Sequence, residues 1–129
     1  MEVLQIIGTE LTPDVDFNTN GKLVIRGRSL PENAVEFYSP MFDWLDDYLT
    51  VAPQKTEISI DLDYLNSISQ KMMVEILKAA RKLVDSGKDV VINWYYDTED
   101  EKMLEEGRNL ALENELKFNM FERPDEEEE

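Results

Sequence analysis

The sequence predicts a single α/β domain over residues 1–123, in which a mixed sheet of about five strands carries about three packed helices. Three observations lead there. The run Glu57-Ile58-Ser59-Ile60-Asp61-Leu62-Asp63 alternates strictly between polar and apolar, the period of a strand with one buried face. Met73, Ile76, Leu77, Ala80, Leu83 and Val84 then recur at helical spacing, and Val90–Tyr96 is β-branched and aromatic, as expected of a central strand. Strand, helix and strand in that order form a βαβ unit, so the two strands should be parallel with a right-handed crossover.

The other elements are placed around that unit. Val3–Ile7 is short and β-like, and a polar stretch containing Pro13 follows it. Lys22–Arg26, bounded by Gly21 and Gly27, reads as a second strand that pairs with the first as a hairpin. Val35, Tyr38, Met41, Phe42, Leu45, Tyr48 and Leu49 recur at helical spacing, with Pro31 expected at the first helical position and Glu32 in the first turn. Pro40 lacks an N–H, but the apolar stripe continues across it, so one kinked helix is expected rather than two. Gly87 suits the position just past the end of the second helix. Asp97-Thr98-Glu99-Asp100 offers several caps for a third helix reaching about Glu115, with Met103, Leu104, Leu110 and Ala111 inward. Phe118–Phe121 is the expected last strand, and residues 124–129 are expected to form a disordered acidic tail. No internal repeat or interior linker is present.

Charge narrows the partners. The chain has 29 acidic and 13 basic residues, a formal net charge of −16, and without the five acids of 125–129 it would still be −11. Such a surface repels nucleic-acid phosphates and anionic headgroups, so neither nucleic acid nor a membrane surface is an expected partner. No stretch approaches the roughly 18 apolar residues of a membrane span. The opening Met1–Gln5 has neither a basic region nor an apolar run of signal-peptide length. The expected location is cytoplasmic, with no membrane insertion.

The chain has no histidine and no cysteine. That removes the commonest general acid–base group, cysteine nucleophiles and every thiolate or imidazole metal site. Neither G-x-x-x-x-G-K-[ST] nor G-x-G-x-x-G occurs. A non-enzymatic protein without a cofactor is the expectation. Carboxylates remain: Asp61 and Asp63 share a face near a strand end, and an i, i+2 pair suits Mg²⁺ or Ca²⁺. The alternation itself, however, demands polar residues on the solvated face there. Asp97, Glu99, Asp100 and Glu101 lack the D-x-[DN]-x-[DN]-G pattern, and acids belong in the first turn of a helix. Among Trp44, Trp94, Tyr95 and Tyr96, core or core-edge placement is the ordinary one; Trp44 sits beside the apolar stripe and is a candidate partner contact.

The most informative segment is Tyr64-Leu65-Asn66-Ser67-Ile68-Ser69-Gln70-Lys71, the strand-to-helix turn of the βαβ unit. Two readings stand side by side. In one, Ser67 and Gln70 form a capping box worth about 1 kcal/mol, which accounts for the serine without any function. In the other, a hydroxyl at a helix N-terminus is a modification site, because an added phosphate meets free amides and the positive end of the helix dipole.

Leu30-Pro31-Glu32-Asn33, Asp43-Trp44, Tyr64-Leu65-Asn66-Ser67, Lys71-Met72-Met73 and Trp94-x-Tyr96-Asp97 together resemble the SiaC family of bacterial biofilm-regulation phosphoproteins, from about Gly8 to Phe121. The resemblance implies a STAS-like fold of the anti-sigma-factor-antagonist type and a regulator rather than an enzyme. It also implies three partners: a partner-switching Ser/Thr protein kinase, a PP2C-type phosphatase, and a diguanylate cyclase that the unphosphorylated form binds and activates in cyclic-di-GMP signalling. The family is modified just after the Y-L-N motif, which points to Ser67. The family pattern there is threonine followed by two serines, whereas this chain reads Ser67-Ile68-Ser69, so Ser69 is the alternative. Asn66, Ser67, Ile68, Ser69 and Lys71, with Trp44, are the expected partner-binding residues. The competing readings are a constitutive acidic adaptor without a phospho-switch and a metal-dependent hydrolase built on Asp61 and Asp63.

Overall fold

A computed structural model describes residues 1–123; the segment 124–129 expected to be a disordered tail lies outside the described residues. The periods of the sequence resolve into β1 (Leu4–Ile6), β2 (Asp14–Phe17), β3 (Lys22–Ser29), α1 (Ala34–Val51), β4 (Lys55–Leu65), α2 (Ser67–Asp85), β5 (Asp89–Asp97), α3 (Glu101–Glu113) and β6 (Phe118–Arg123). The strands form one sheet in the order of the sequence, β1-β2-β3-β4-β5-β6. β1, β2 and β3 pair antiparallel, and β3 through β6 pair parallel, so the sheet is mixed as expected.

The expected hairpin between the first and second strands is not formed. Asp14-Val15-Asp16-Phe17 is a strand in its own right, lies between β1 and β3, and brings the sheet to six strands. Its two acids face water while Val15 and Phe17 enter the core. Four residues with aspartate at every other position read as polar loop unless the alternation is given more weight than the composition.

Each crossover, β3–α1–β4, β4–α2–β5 and β5–α3–β6, steps in the same direction along the sheet. With right-handed connections all three helices lie on one face. One set of alternating residues, including Leu23, Ile25, Ile58, Ile60, Leu62, Ile92 and Trp94, is buried beneath them. The other set, including Arg26, Glu57, Ser59, Asp61 and Tyr95, lines the uncovered face.

α1 begins at Ala34, three residues later than expected. Asn33 is in extended conformation and its side chain accepts the Glu36 amide, so it takes the cap and leaves Pro31 in the incoming loop. One helix runs through Pro40, which is exposed, so the carbonyl left without a partner meets water. α2 closes as expected: Gly87 takes φ 91° and the Lys88 amide returns to the Leu83 carbonyl at 3.0 Å. α3 approaches β5 so closely that a Cβ on Gly107 would lie 2.5 Å from Trp94 Cδ1. The Trp94 indole N–H donates to the Met103 carbonyl at 2.9 Å, which fixes helix and ring together. No helix among the described residues is long and apolar enough to cross a membrane.

Candidate functional site

Because β3 to β6 are parallel, their carboxyl ends and the starts of all three helices lie at one end of the sheet. The turn from β4 into α2 sits near the middle of that end. Buried Leu65 anchors the strand's last residue, and the chain leaves it through Asn66 at φ −83° and ψ 172°. That extended backbone makes Asn66, not Ser67, the cap. Asn66 Oδ1 accepts the Ser69 amide at 2.9 Å, and its carbonyl accepts the Gln70 amide at 3.0 Å. Asn66 also donates its own N–H to the Ser29 carbonyl at 3.1 Å, which ties the turn to the end of β3.

The expected capping box of Ser67 and Gln70 is therefore not formed. Asparagine caps as well as serine, and the residue in extended backbone wins the position. The Gln70 side chain points elsewhere and donates to Glu106 Oε1 on α3 at 3.0 Å. Burial, and secondarily the negative charge of Glu113, push the Glu106 carboxyl above the usual range, so this bridge couples α2 to a carboxyl short of solvent. Ser67 is the first residue of α2, exposed, with its hydroxyl outside the cap.

Ser69, two residues on, is in the opposite situation. It is fully buried and its hydroxyl donates to the Ser29 carbonyl at 3.1 Å while accepting from Ser29 Oγ at 2.8 Å. Ser29 Oγ has spent its one proton, so the 2.6 Å contact with the Tyr38 hydroxyl is donated by the tyrosine. Burial pushes the Tyr38 hydroxyl up to about 12, against smaller downward pulls from Ser29 and Ser69, so it stays a neutral donor. This hydroxyl chain stitches α2 to β3 and α1.

Ile68 and Lys71 are exposed beside Ser67, and Lys71 follows it by one helical turn. The amides of Ser67 and Ile68 have no intrahelical acceptor by position, and α2 carries no acid in its first turn. The turn is thus electrically open to an anion. Trp44 is not brought to it: the indole is 8 % exposed, stacks on Tyr48 with ring centroids 4.9 Å apart, and donates to the Glu2 carbonyl at 2.7 Å.

Asp61 and Asp63 do lie on the uncovered face near the end of β4, but as acceptors of a cation already in the chain. Arg123 on β6 bonds Asp61, reaches Asp63 at 3.2 Å and donates Nε to Asp97 at 2.9 Å, while Arg26 lies 3.6 Å from Asp61. Asp100 caps α3 through the Met103 amide. Arg123, Ser29 and Glu106 are not singled out by sequence, and Tyr38 is read there only as part of the apolar stripe of α1. Arg123 carries a signal of its own: counting by twos from Asn119 puts it on the uncovered face with the acids.

The fold and the sequence are shared with known proteins. The sequence model of the family described as "SiaC family regulatory phosphoprotein" matches residues 6–123. An uncharacterized protein of Pseudomonas aeruginosa (strain UCBPP-PA14) is 33% identical over 106 residues, covering 81% of this chain and 84% of that protein. SiaC of Pseudomonas aeruginosa is similar in structure, with a TM-score of 0.81 and 29% identity over 97% of this chain and 100% of that one. A crystal structure of the diguanylate cyclase SiaD in complex with its activator SiaC from the same organism matches at a TM-score of 0.86 and 29% identity, covering 93% of this chain and 99% of that one.

Proposed function

This chain belongs to the SiaC family of regulatory phosphoproteins, and we propose that it works as a phosphorylation-controlled partner switch centred on Ser67. A partner-switching Ser/Thr kinase transfers a phosphoryl group to the Ser67 hydroxyl, and a PP2C-type phosphatase removes it by hydrolysis. The unphosphorylated form binds and activates a diguanylate cyclase, as the relative SiaC does with SiaD. Asn66, Ile68 and Lys71 complete the contact around the serine.

The observation that carries this reading is the division of labour between two serines. Ser67 is exposed and free of the cap, whereas Ser69 is buried in the hydroxyl chain with Ser29 and Tyr38. A phosphate on Ser67 meets the open amides of the first turn without disturbing the cap. A phosphate on Ser69 would have to break the hydroxyl chain first. Added charge at Ser67 changes the recognition surface and leaves the fold in place.

The test is phosphate mapping by mass spectrometry after incubation with the cognate kinase, together with cyclase assays on Ser67→Asp. Phosphate is expected at Ser67, and Ser67→Asp is expected to lose cyclase activation by at least about tenfold with no fall in its melting temperature. Phosphate at neither Ser67 nor Ser69 removes the switch. A constitutive adaptor would bind the same partner regardless of substitution at Ser67.

A further inference from the structure

We infer that the loop between β1 and β2, residues 7–13, is a second docking element beside Ser67, and that the two together take an apolar, basic-rimmed protein surface of the diguanylate cyclase. This rests on the partner proposed above and adds where on the molecule that partner sits.

The strand directions place the pieces. β1 is antiparallel to β2 and β2 to β3, so β1 runs the same way as the parallel strands and ends where they end. Ile7, Leu11, Val35, Tyr64 and Ile68 are large apolar side chains exposed at this end. Ile7 is 88% exposed and Leu11 41%. The loop that holds them is linked to the switch turn through two consecutive residues. The Leu30 amide donates to the Leu11 carbonyl at 2.9 Å, and the neighbouring Ser29 carbonyl accepts the Asn66 amide at 3.1 Å.

The loop is also fastened in the shape that exposes them. Thr9 Oγ1 accepts the amides of Leu11 and Thr12, each at 3.1 Å, and the Thr9 amide donates to the Thr12 carbonyl at 2.9 Å. The Gly8 amide donates to Asp14 Oδ1 at 2.6 Å, and a Cβ on Gly8 would lie 2.6 Å from the Thr12 carbonyl oxygen. Ile7 and Leu11 are thus held outward by backbone and threonine hydrogen bonds. Apolar side chains on a loop already ordered lose little conformational freedom on binding, which favours docking.

Charge selects the partner. Glu10, Asp14, Glu32 and Glu36 are exposed in the segments that carry the apolar group or adjoin them, against Arg28 and Lys71. The rim is acidic, so it complements lysine and arginine around an apolar patch and repels phosphate-bearing polymers and anionic bilayers. A phosphate on Ser67, flanked by Tyr64 and Ile68, would set a strongly hydrated anion where the contact must be dry, which accounts for release.

The experiment titrates the full chain against each purified diguanylate cyclase of the source organism, measuring binding by calorimetry and cyclic-di-GMP synthesis. The double variant Ile7→Ser/Leu11→Ser is expected to weaken binding about tenfold or more with an unchanged melting temperature. Leu112→Ser, a change at a 78% exposed residue at the opposite end of the molecule, is expected to leave it unchanged. Glu10→Lys should slow association, most visibly at low salt. If Ser67→Asp abolishes binding while the double variant binds like wild type, the second docking element is wrong and the switch stands. If wild-type protein binds none of the cyclases, the proposed partner fails and the docking inference falls with it. Loss of binding equal in Leu112→Ser and the double variant would also overturn the placement.

Discussion

At the start of α2, Asn66 Oδ1 accepts the Ser69 amide at 2.9 Å; at the start of α3, Asp100 Oδ1 accepts the Met103 amide at 3.0 Å. The caps are nearly superposable in kind, but what surrounds them differs. α3 has a carboxylate as its cap and Glu101 in its first turn, so the positive end of its dipole is answered from within. α2 has a neutral amide as its cap, no acid in its first turn and an exposed serine at its first position. The fastenings differ as well. α3 is held by Gly107 lying against the Trp94 ring, a contact of bodies, whereas the first turn of α2 is held by the hydroxyls of Ser69, Ser29 and Tyr38. One helix start is closed and packed; the other is charge-open and secured from beneath, as the modification proposed for Ser67 would require.

The fastening under α2 gives the largest expected effect. The Tyr38 hydroxyl is raised from 10.0 to about 12 by burial, so folding favours its neutral form. The sign follows from proton counting: between these values the unfolded chain has lost the proton and the folded chain keeps it, so stability falls as pH rises. Tyr38's contribution is complete below pH 10 and lost as pH rises through about 12. Urea unfolding of wild type and Tyr38→Phe across that range should show the stability advantage of wild type shrinking by about 2–3 kcal/mol. A constant gap would mean that Tyr38 is not the buried donor to Ser29. Burial raises Tyr48 too, but that residue is common to both proteins and cancels in the difference.

The body contact under α3 comes next. In Gly107→Ala the new methyl would lie 2.5 Å from Trp94 Cδ1 and 2.6 Å from Nε1, and the indole is held in place by its bond to Met103. Overpacking of roughly 3 kcal/mol, offset by about 1 kcal/mol of better helix propensity, leaves a net loss of about 2 kcal/mol. Thermal unfolding measures it. A neutral or stabilising result would show that α3 can move away from β5, and the contrast between a packed and an open helix start would fail.

How much of this was legible follows from the range of the forces involved. The β4–α2–β5 unit is readable because its periods are long and local, and Asp97–Asp100 does supply the cap of α3, through Asp100. The sequence puts Ser67 at the start of α2 but does not show that the cap is Asn66. Asparagine and serine cap about equally well, and only the extended backbone at Asn66 decides between neighbours. The start of α1 falls at Ala34 rather than Pro31 for a different reason: proline suits a first helical position, but only the extended backbone at Asn33 shows where the cap lies. β2 was missed because Asp14 and Asp16 make a four-residue strand look like loop. The hydroxyl chain joins residues 40 apart, and the Arg123–Asp61 pair residues 62 apart, contacts that no local pattern encodes.

The smallest effect bears most directly on the contrast between the two helix starts. If α2 is open to negative charge, Ser67→Asp should cost no stability and should add about 0.3–1 kcal/mol at low ionic strength, because a carboxylate then answers the dipole as Glu101 does in α3. The mirror experiment, Glu101→Gln, should lose a few tenths of a kcal/mol from a helix start that already has its aspartate cap. Both differences should shrink together in 1 M salt, where screening acts within about 3 Å. Melting temperatures at two salt concentrations are enough. A loss above 1 kcal/mol in Ser67→Asp would mean that the hydroxyl is part of the structure after all, since an open helix start has no way to lose stability by gaining the charge it lacks.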